Sequence, residues 1–150
     1  LDVCMNEGTK VKGILGTDLP PNKDHEVKKI EDLKIQDYDL LIIPGGVKAM
    51  EKVRQNKSMI SFIAEFHAQK KIIGCICSGA QMLISAKVVK GKKISGYYSM
   101  KDDIINAGAE YTDMPAVIDS GIVTTAHYKD LGPWMKAVLE EYYKKNNNVT

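Results

Sequence analysis

The chain has 150 residues, 44% of them hydrophobic, which is enough for one globular domain with a full core. Lysine and arginine (21) nearly balance aspartate and glutamate (19), giving a formal net charge of +2. The lysines often stand beside acids, as in "KDHEVKKIEDLK", which describes a solvated surface and argues against a nucleic-acid partner. No apolar run approaches the roughly 20 residues of a membrane span and no secretory signal pattern opens the chain, so no membrane partner is expected.

Cys4, Cys75 and Cys77 are an odd set without framework spacing, which points to a reducing compartment, the cytoplasm. His25, His67 and His127 show no ligand spacing relative to these cysteines, so no metal is expected. Walker A and dinucleotide glycine patterns are missing too, and no cofactor is expected.

In chain order, "LDVCM" begins at Leu1 and is strand-like at once, so the chain reads as a single domain, residues 1–150, whose beginning is missing. A polar, Gly/Pro-punctuated stretch follows, with β-prone pieces at 11–15 and 26–30 and with His25 in a charged loop. "YDLLIIPGG" holds a continuous apolar run, Leu40 to Ile43, closed by Pro44-Gly45-Gly46; it suits a strand buried on both faces of a parallel sheet. Residues 47–69 carry helical spacing through Met59, Ile60, Ile63, Ala64 and Phe66. "KKIIGCIC" predicts the next buried strand, "SGAQMLISAKVV" the next helix and "KKISGYY" a short strand.

Residues 100–107 form a predicted helix stopped by Gly108, opened by Asp102 and Asp103 as first-turn acids. "PAVIDSGIVTTA" gives two strands around a hairpin turn at Asp119-Ser120-Gly121. "DLGPWMKAVLEEYYKK" closes as an amphipathic helix with Trp134 as a core residue, followed by a frayed tail. Strands alternating with helices predict an α/β fold with a mainly parallel sheet covered on both faces. In such sheets ligands gather beyond the carboxyl ends of the strands. Two loops leave buried strands at that edge: Pro44-Gly45-Gly46 and Cys77-Ser78-Gly79.

A cysteine at a strand-to-helix turn lies where unpaired N–H groups and the helix dipole favour an anionic nucleophile. Gly79 allows the tight turn that lifts such a side chain into the crevice, as in the nucleophile elbow of hydrolases. The amides of Ser78 and Gly46 would then face an oxyanion formed by attack at Cys77. On position alone an inert Cys77, a small hydrophobe ending a strand, stands equally open. Cys75, two residues earlier in the apolar run, is expected to be structural and enclosed; the two cysteines would share one side of the strand, but a bridge between them would be badly strained.

"YDLLIIPGG", "IIGCICSGAQMLISAKVVKGKKISGYYSMKDDIINAGAEY", "PAVIDSGIVTTA" and "DLGPWMKAVLEEY" together resemble the ThiJ/PfpI superfamily over residues 37–143. The resemblance implies a flavodoxin-like three-layer sandwich related to class I glutamine amidotransferases, assembled as a homodimer or higher homo-oligomer, with Cys77 reactive. Its members include glyoxalase- and deglycase-type enzymes, an isonitrile hydratase, PfpI-branch peptidases and stress-response chaperones. The peptidase branch has His directly after the cysteine, where this chain has Ser78, a residue nearer to the small hydroxyl of the isonitrile hydratase-like branch. The peptidase branch also has Glu four positions past the Gly-Gly pair, where this chain has Met50, with Glu51 one step off. The family's acidic residue in the first strand–helix unit has no counterpart here, in keeping with the missing start.

Gly45 and Gly79 shape the expected pocket, and the resemblance puts Tyr97 at its edge, with an aromatic packed under the loop as the alternative. His127 follows the last strand and is a candidate acid or base, or else an exposed loop histidine. His67, at a helix end, is expected to serve the dipole as a cation. The function expected is a cofactor-free cysteine enzyme taking a small-molecule carbonyl substrate. A redox-sensing or chaperone-like stress protein using the same cysteine is the alternative, and a peptidase or isonitrile hydratase-like hydrolase comes third.

Overall fold

The computed structural model describes residues 1–6, 11–12, 17–19 and 26–147. His25, residues 13–15 of the first β-prone piece and the tail at 148–150 lie outside the described residues.

The first elements are brief. Strands β1 (Val3–Cys4), β2 (Val11–Lys12), β3 (Asp18–Leu19) and β4 (Val27–Lys28) form two small pairs, β1 parallel with β4 and β2 antiparallel with β3. The Asp2 carboxylate accepts from the Tyr38 hydroxyl at 2.6 Å and from Lys28 Nζ at 3.0 Å, and these bonds hold its pKa below the ordinary value. They fasten the β1–β4 pair to the chain just ahead of the main sheet.

The main sheet begins with β5 (Leu40–Ile43), over the residues expected from the apolar run. Only Ile43 is fully buried, because β5 is an edge strand of the described sheet and the other three residues are half-exposed. The predicted helical stretch 47–69 is two helices, α1 (Val47–Val53) and α2 (Lys57–Ala68). Asn56 makes the break: its side-chain oxygen accepts from the amides of Ser58 (3.0 Å) and Met59 (3.2 Å) and starts a fresh N-terminus. β6 (Ile72–Ile76) is buried at every position. After it come α3 (Ala80–Ser85), β7 (Lys93–Ile94), α4 (Lys101–Asn106) and β8 (Glu110–Tyr111). Gly108, with φ +86°, ends α4 as its sequence position predicts. Asp102 and Asp103 stand in the first turn of α4 without a side-chain capping bond, so they act on the dipole alone.

β9 (Val117–Asp119) and β10 (Ile122–Thr125) pair antiparallel through Ser120 (φ 51°) and Gly121 (φ 80°), the double positive-φ turn that suits a two-residue hairpin. The main sheet runs β5-β6-β10-β9, parallel except at β9, with Leu40 opposite Ile72 and Ile73 opposite Ile122. The chain closes with α5 (Leu131–Asn147). None of the described helices is long and apolar enough to cross a membrane.

Helices cover both faces, as expected. The larger core joins Ile43, Ile73 and Cys75 to Phe66 of α2, Leu83 of α3 and Ile104 of α4. The smaller core joins Ile76 and Val123 to Trp134, Ala137 and Val138 of α5. Trp134 is 1% exposed and its indole N–H donates to the Val123 carbonyl at 2.9 Å. A Cβ at Gly74 would stand 2.9 Å from Val138 and 3.2 Å from Trp134, so glycine there lets α5 lie close on the sheet. With one large ring filling a small core, Trp134→Ala should destabilise the fold by about 3–5 kcal/mol. Urea unfolding measures this; a loss of less than about 1 kcal/mol would show that α5 is not held through this ring.

Candidate active site

Cys77 leaves the end of β6 with φ +60°, a left-handed conformation that costs a non-glycine residue on the order of 1 kcal/mol or more. It opens a single 3-10 turn, Cys77–Gly79, before α3. The elbow expected from the sequence is therefore present, although the helix behind it has only six residues. The turn also separates the two cysteines. Cys75 faces the larger core, whereas Cys77 is half-buried against the smaller one, so they do not share a side.

Two glycines make the elbow possible by close approach. A Cβ on Gly45 would lie 2.7 Å from Cys77 Cβ and 3.3 Å from its Sγ, so only a bare backbone fits beside the thiol. A Cβ on Gly79 would lie 2.9 Å from Cys75 Sγ and 3.0 Å from the carbonyls of Ile43 and Pro44. The Pro-Gly-Gly loop thus sits directly on the elbow. Gly46, at φ +98°, is where that loop turns into α1, and its carbonyl accepts from Met50 N at 2.9 Å. Ser78 is 5% exposed, with its hydroxyl 3.8 Å from Cys77 Sγ. Met50 is buried in the larger core and Glu51 is exposed on α1.

From the other side, the amide of Tyr97 donates to the Cys77 carbonyl at 3.2 Å and fixes the elbow's backbone. The Tyr97 ring is 38% exposed and belongs to a group of rings. Its centroid is 6.3 Å from that of His127, which also lies 6.2 Å from Tyr98 and 4.0 Å from Tyr128. His127 follows β10 beyond Thr125, which pairs with Ile76 immediately before Cys77. It is half-buried rather than an open loop residue, and its Nδ1 accepts from Lys129 N at 3.2 Å. The Lys129 ammonium lies 5.9 Å from the centre of the Tyr98 ring.

The remaining thiols are quiet. Burial pushes the Cys75 thiol far above its ordinary pKa, with the nearby Cys77 adding to the shift. Burial and the neighbouring Glu31 also raise the half-buried Cys4. His67 departs from expectation: burial first, then Lys92, lowers its pKa, so the charged form suited to the α2 dipole is disfavoured.

Arg54 is a residue that sequence reasoning missed. Its guanidinium donates to Ser85 Oγ at 3.1 Å and to Gln81 Oε1 at 3.3 Å, tying the end of α1 to α3. It thereby couples the helices that follow the two site loops. An arginine directly after a short helix carries no such signal without the topology.

The model of the DJ-1/PfpI family matches residues 1–141, and the chain belongs to that family. It is 38% identical over 110 residues to the Deglycase PfpI of Pyrococcus furiosus, a match covering 73% of this chain and 66% of that protein. It is 40% identical over 104 residues to the Putative cysteine protease YraA of Bacillus subtilis, covering 69% of this chain and 61% of that one. These matches span somewhat less than two thirds of the relatives' own lengths. Among solved structures, a two-domain protein of Anabaena variabilis with DJ-1/ThiJ/PfpI-like and ferritin-like domains superposes with a TM-score of 0.78 at 31% identity, covering 91% of this chain and 37% of that one.

Iodoacetamide should modify Cys77 first, Cys4 more slowly and Cys75 only on unfolding, as peptide mass spectrometry would read. Modification of Cys75 ahead of Cys77 in the folded protein would refute the elbow. Gly45→Ala should slow Cys77 labelling on the order of tenfold by displacing the loop or the thiol. Gly132→Ala, where an added Cβ meets nothing within 4 Å, is the matched control and should label at the parental rate. Equal rates in both variants would mean that the Gly45 contact does not hold the thiol.

Proposed function

We propose that the chain is a deglycase-like cysteine enzyme, with Cys77 as its reactive residue, acting on small electrophilic carbonyls such as α-oxoaldehydes and their adducts. The observation that carries this reading is Cys77 at φ +60°, held at the strand end under the bare backbone of Gly45. The deglycase name of the Pyrococcus furiosus relative supports it.

In this reading the Cys77 Sγ lone pair forms a bond to the carbonyl carbon, and the C=O π pair moves onto oxygen. The amides of Gly46 and Ser78 hold the resulting oxyanion, and the thiol proton ends on that oxygen, giving a hemithioacetal. Gly79 keeps the elbow tight and Tyr97 borders the substrate. Because Nδ1 of His127 accepts from a backbone amide, a neutral ring there carries its proton on Nε2. His127 is therefore suited to donating a proton at the mouth.

The peptidase reading fares worse. Expelling an amine from a peptide needs a proton delivered to a poor leaving group, and Ser78 supplies only a hydroxyl beside the thiol. A carbonyl that is merely added to has no such requirement. The three free thiols support a cytoplasmic setting, and the chain is read as one domain of a homo-oligomer.

The protein should consume methylglyoxal, and Cys77→Ser should reduce that rate by at least about 100-fold. It should not release peptides from casein. Methylglyoxal turnover that survives Cys77→Ser, or casein cleavage that Cys77→Ser abolishes, would each overturn the assignment.

A further inference from the structure

Three lysine pairs stand far apart in sequence: Lys70-Lys71, Lys92-Lys93 and Lys144-Lys145. The fold brings them to one edge. Lys70 and Lys71 directly precede β6, Lys92 precedes and Lys93 opens β7, and Lys144 and Lys145 lie in the last turn of α5. Lys70, Lys92, Lys144 and Lys145 line a groove of about 760 Å³ together with His67 and Glu141. The groove lies at the amino ends of β6 and β10, the opposite end of the sheet from Cys77.

Part of this charge has a local use. α2 and α5 both end here, and each helix C-terminus offers about half a negative charge. The Lys145 ammonium donates to the Lys70 carbonyl. Lys144 pairs with Glu141 at 2.8 Å and Lys71 with Asp39 at 3.7 Å. Asp119 accepts the Lys93 amide N–H at 2.9 Å and feels the charges of Lys92 and Lys93.

These partners do not exhaust the cations. Among the described residues, Lys70, Lys92 and Lys145 make no ion pair. Crowding shows in two groups: burial and the charges of Lys71 and Lys70, opposed by Asp39, lower the pKa of Lys145, and burial with Lys92 lowers that of His67. An anion in the groove would relieve the repulsion.

We infer that this groove binds a small anion carrying two or more linked phosphates. Separate ammonium groups converging from three segments suit several phosphate charges, each lysine acting as a point charge. The shape favours a compact ligand, because a nucleic-acid strand needs an extended basic track and this surface is one concave patch.

Inorganic tripolyphosphate is the probe, titrated calorimetrically into the full chain at two salt concentrations. Saturable one-to-one binding is expected, weakening about tenfold or more between low salt and roughly 0.2 M. Lys92→Gln combined with Lys145→Gln should weaken it by at least about tenfold, with Lys145→Arg retaining it and Lys136→Gln, on the exposed outer part of α5, leaving it unchanged. Iodoacetamide labelling of Cys77 should be the same in all four proteins. Should the double variant misfold, tripolyphosphate should still protect Lys70 and Lys145 of the parent chain from an amine-reactive reagent. No saturable binding, binding unchanged in a folded double variant, or no protection would overturn the inference. Tighter binding of a single-stranded oligonucleotide than of tripolyphosphate would overturn the assignment to a compact ligand.

Discussion

The sheet edge that carries Cys77 depends on one close approach, the backbone of Gly45 against Cys77. With 2.7 Å between a hypothetical Cβ and that of the cysteine, the loop after β5 and the turn after β6 occupy a single site. The left-handed backbone at Cys77 persists only because its surroundings over-determine it. Gly79 tucks beneath the carbonyls of Ile43 and Pro44, the Tyr97 amide holds the Cys77 carbonyl, and Arg54 ties the helices behind both loops. Each constraint comes from a different stretch of chain. The turn is a tertiary structure as much as a local one.

The same turn decides which cysteine is enclosed and which is only half-buried. Had Cys77 continued the extended strand, it would have shared a side with Cys75 and pointed into the larger core. Reversing φ moves it to the smaller core and the crevice, while Cys75 stays enclosed and its thiol is pushed up by burial. Two thiols two residues apart thus acquire different environments from one dihedral angle. The strain is local, and five consecutive buried residues of β6 offset it.

Features carried by local chemistry were legible in the sequence. The bounds of β5 followed from an apolar run closed by Pro-Gly-Gly, and the β9–β10 turn from Asp119-Ser120-Gly121. The turn at Cys77 was legible from a cysteine at a strand end with Gly79 just behind it, but that position alone left an inert thiol equally open, and the family resemblance was what favoured a reactive one. Features carried by topology were not legible. Apolar spacing across 47–69 concealed the break, since only the Asn56 side chain marks it. β5 looked doubly buried because residue type does not say which strand stands at an edge. The ring group of Tyr97, Tyr98, His127 and Tyr128 assembles from two segments that the sequence keeps apart. The lysines looked scattered for the same reason, because their convergence is a property of the folded sheet.

Distance then settles whether the two ends of the sheet act on one another. β6 has five residues, about 16 Å of extended strand at roughly 3.3 Å per residue. The screening length at physiological salt is about 8 Å, so charges in the lysine groove reach Cys77 strongly attenuated. A path through the protein interior is less screened, but the groove lysines stand at the surface, where their field lines run mostly through water. Charge at the amino edge therefore attracts anions to that edge without making Cys77 a better nucleophile. What sets the behaviour of Cys77 must lie close to its own turn: the backbone of Gly45, the Ser78 hydroxyl and the Tyr97 amide. The two edges are separate devices on one sheet, and substitutions in one should add to those in the other instead of coupling with them.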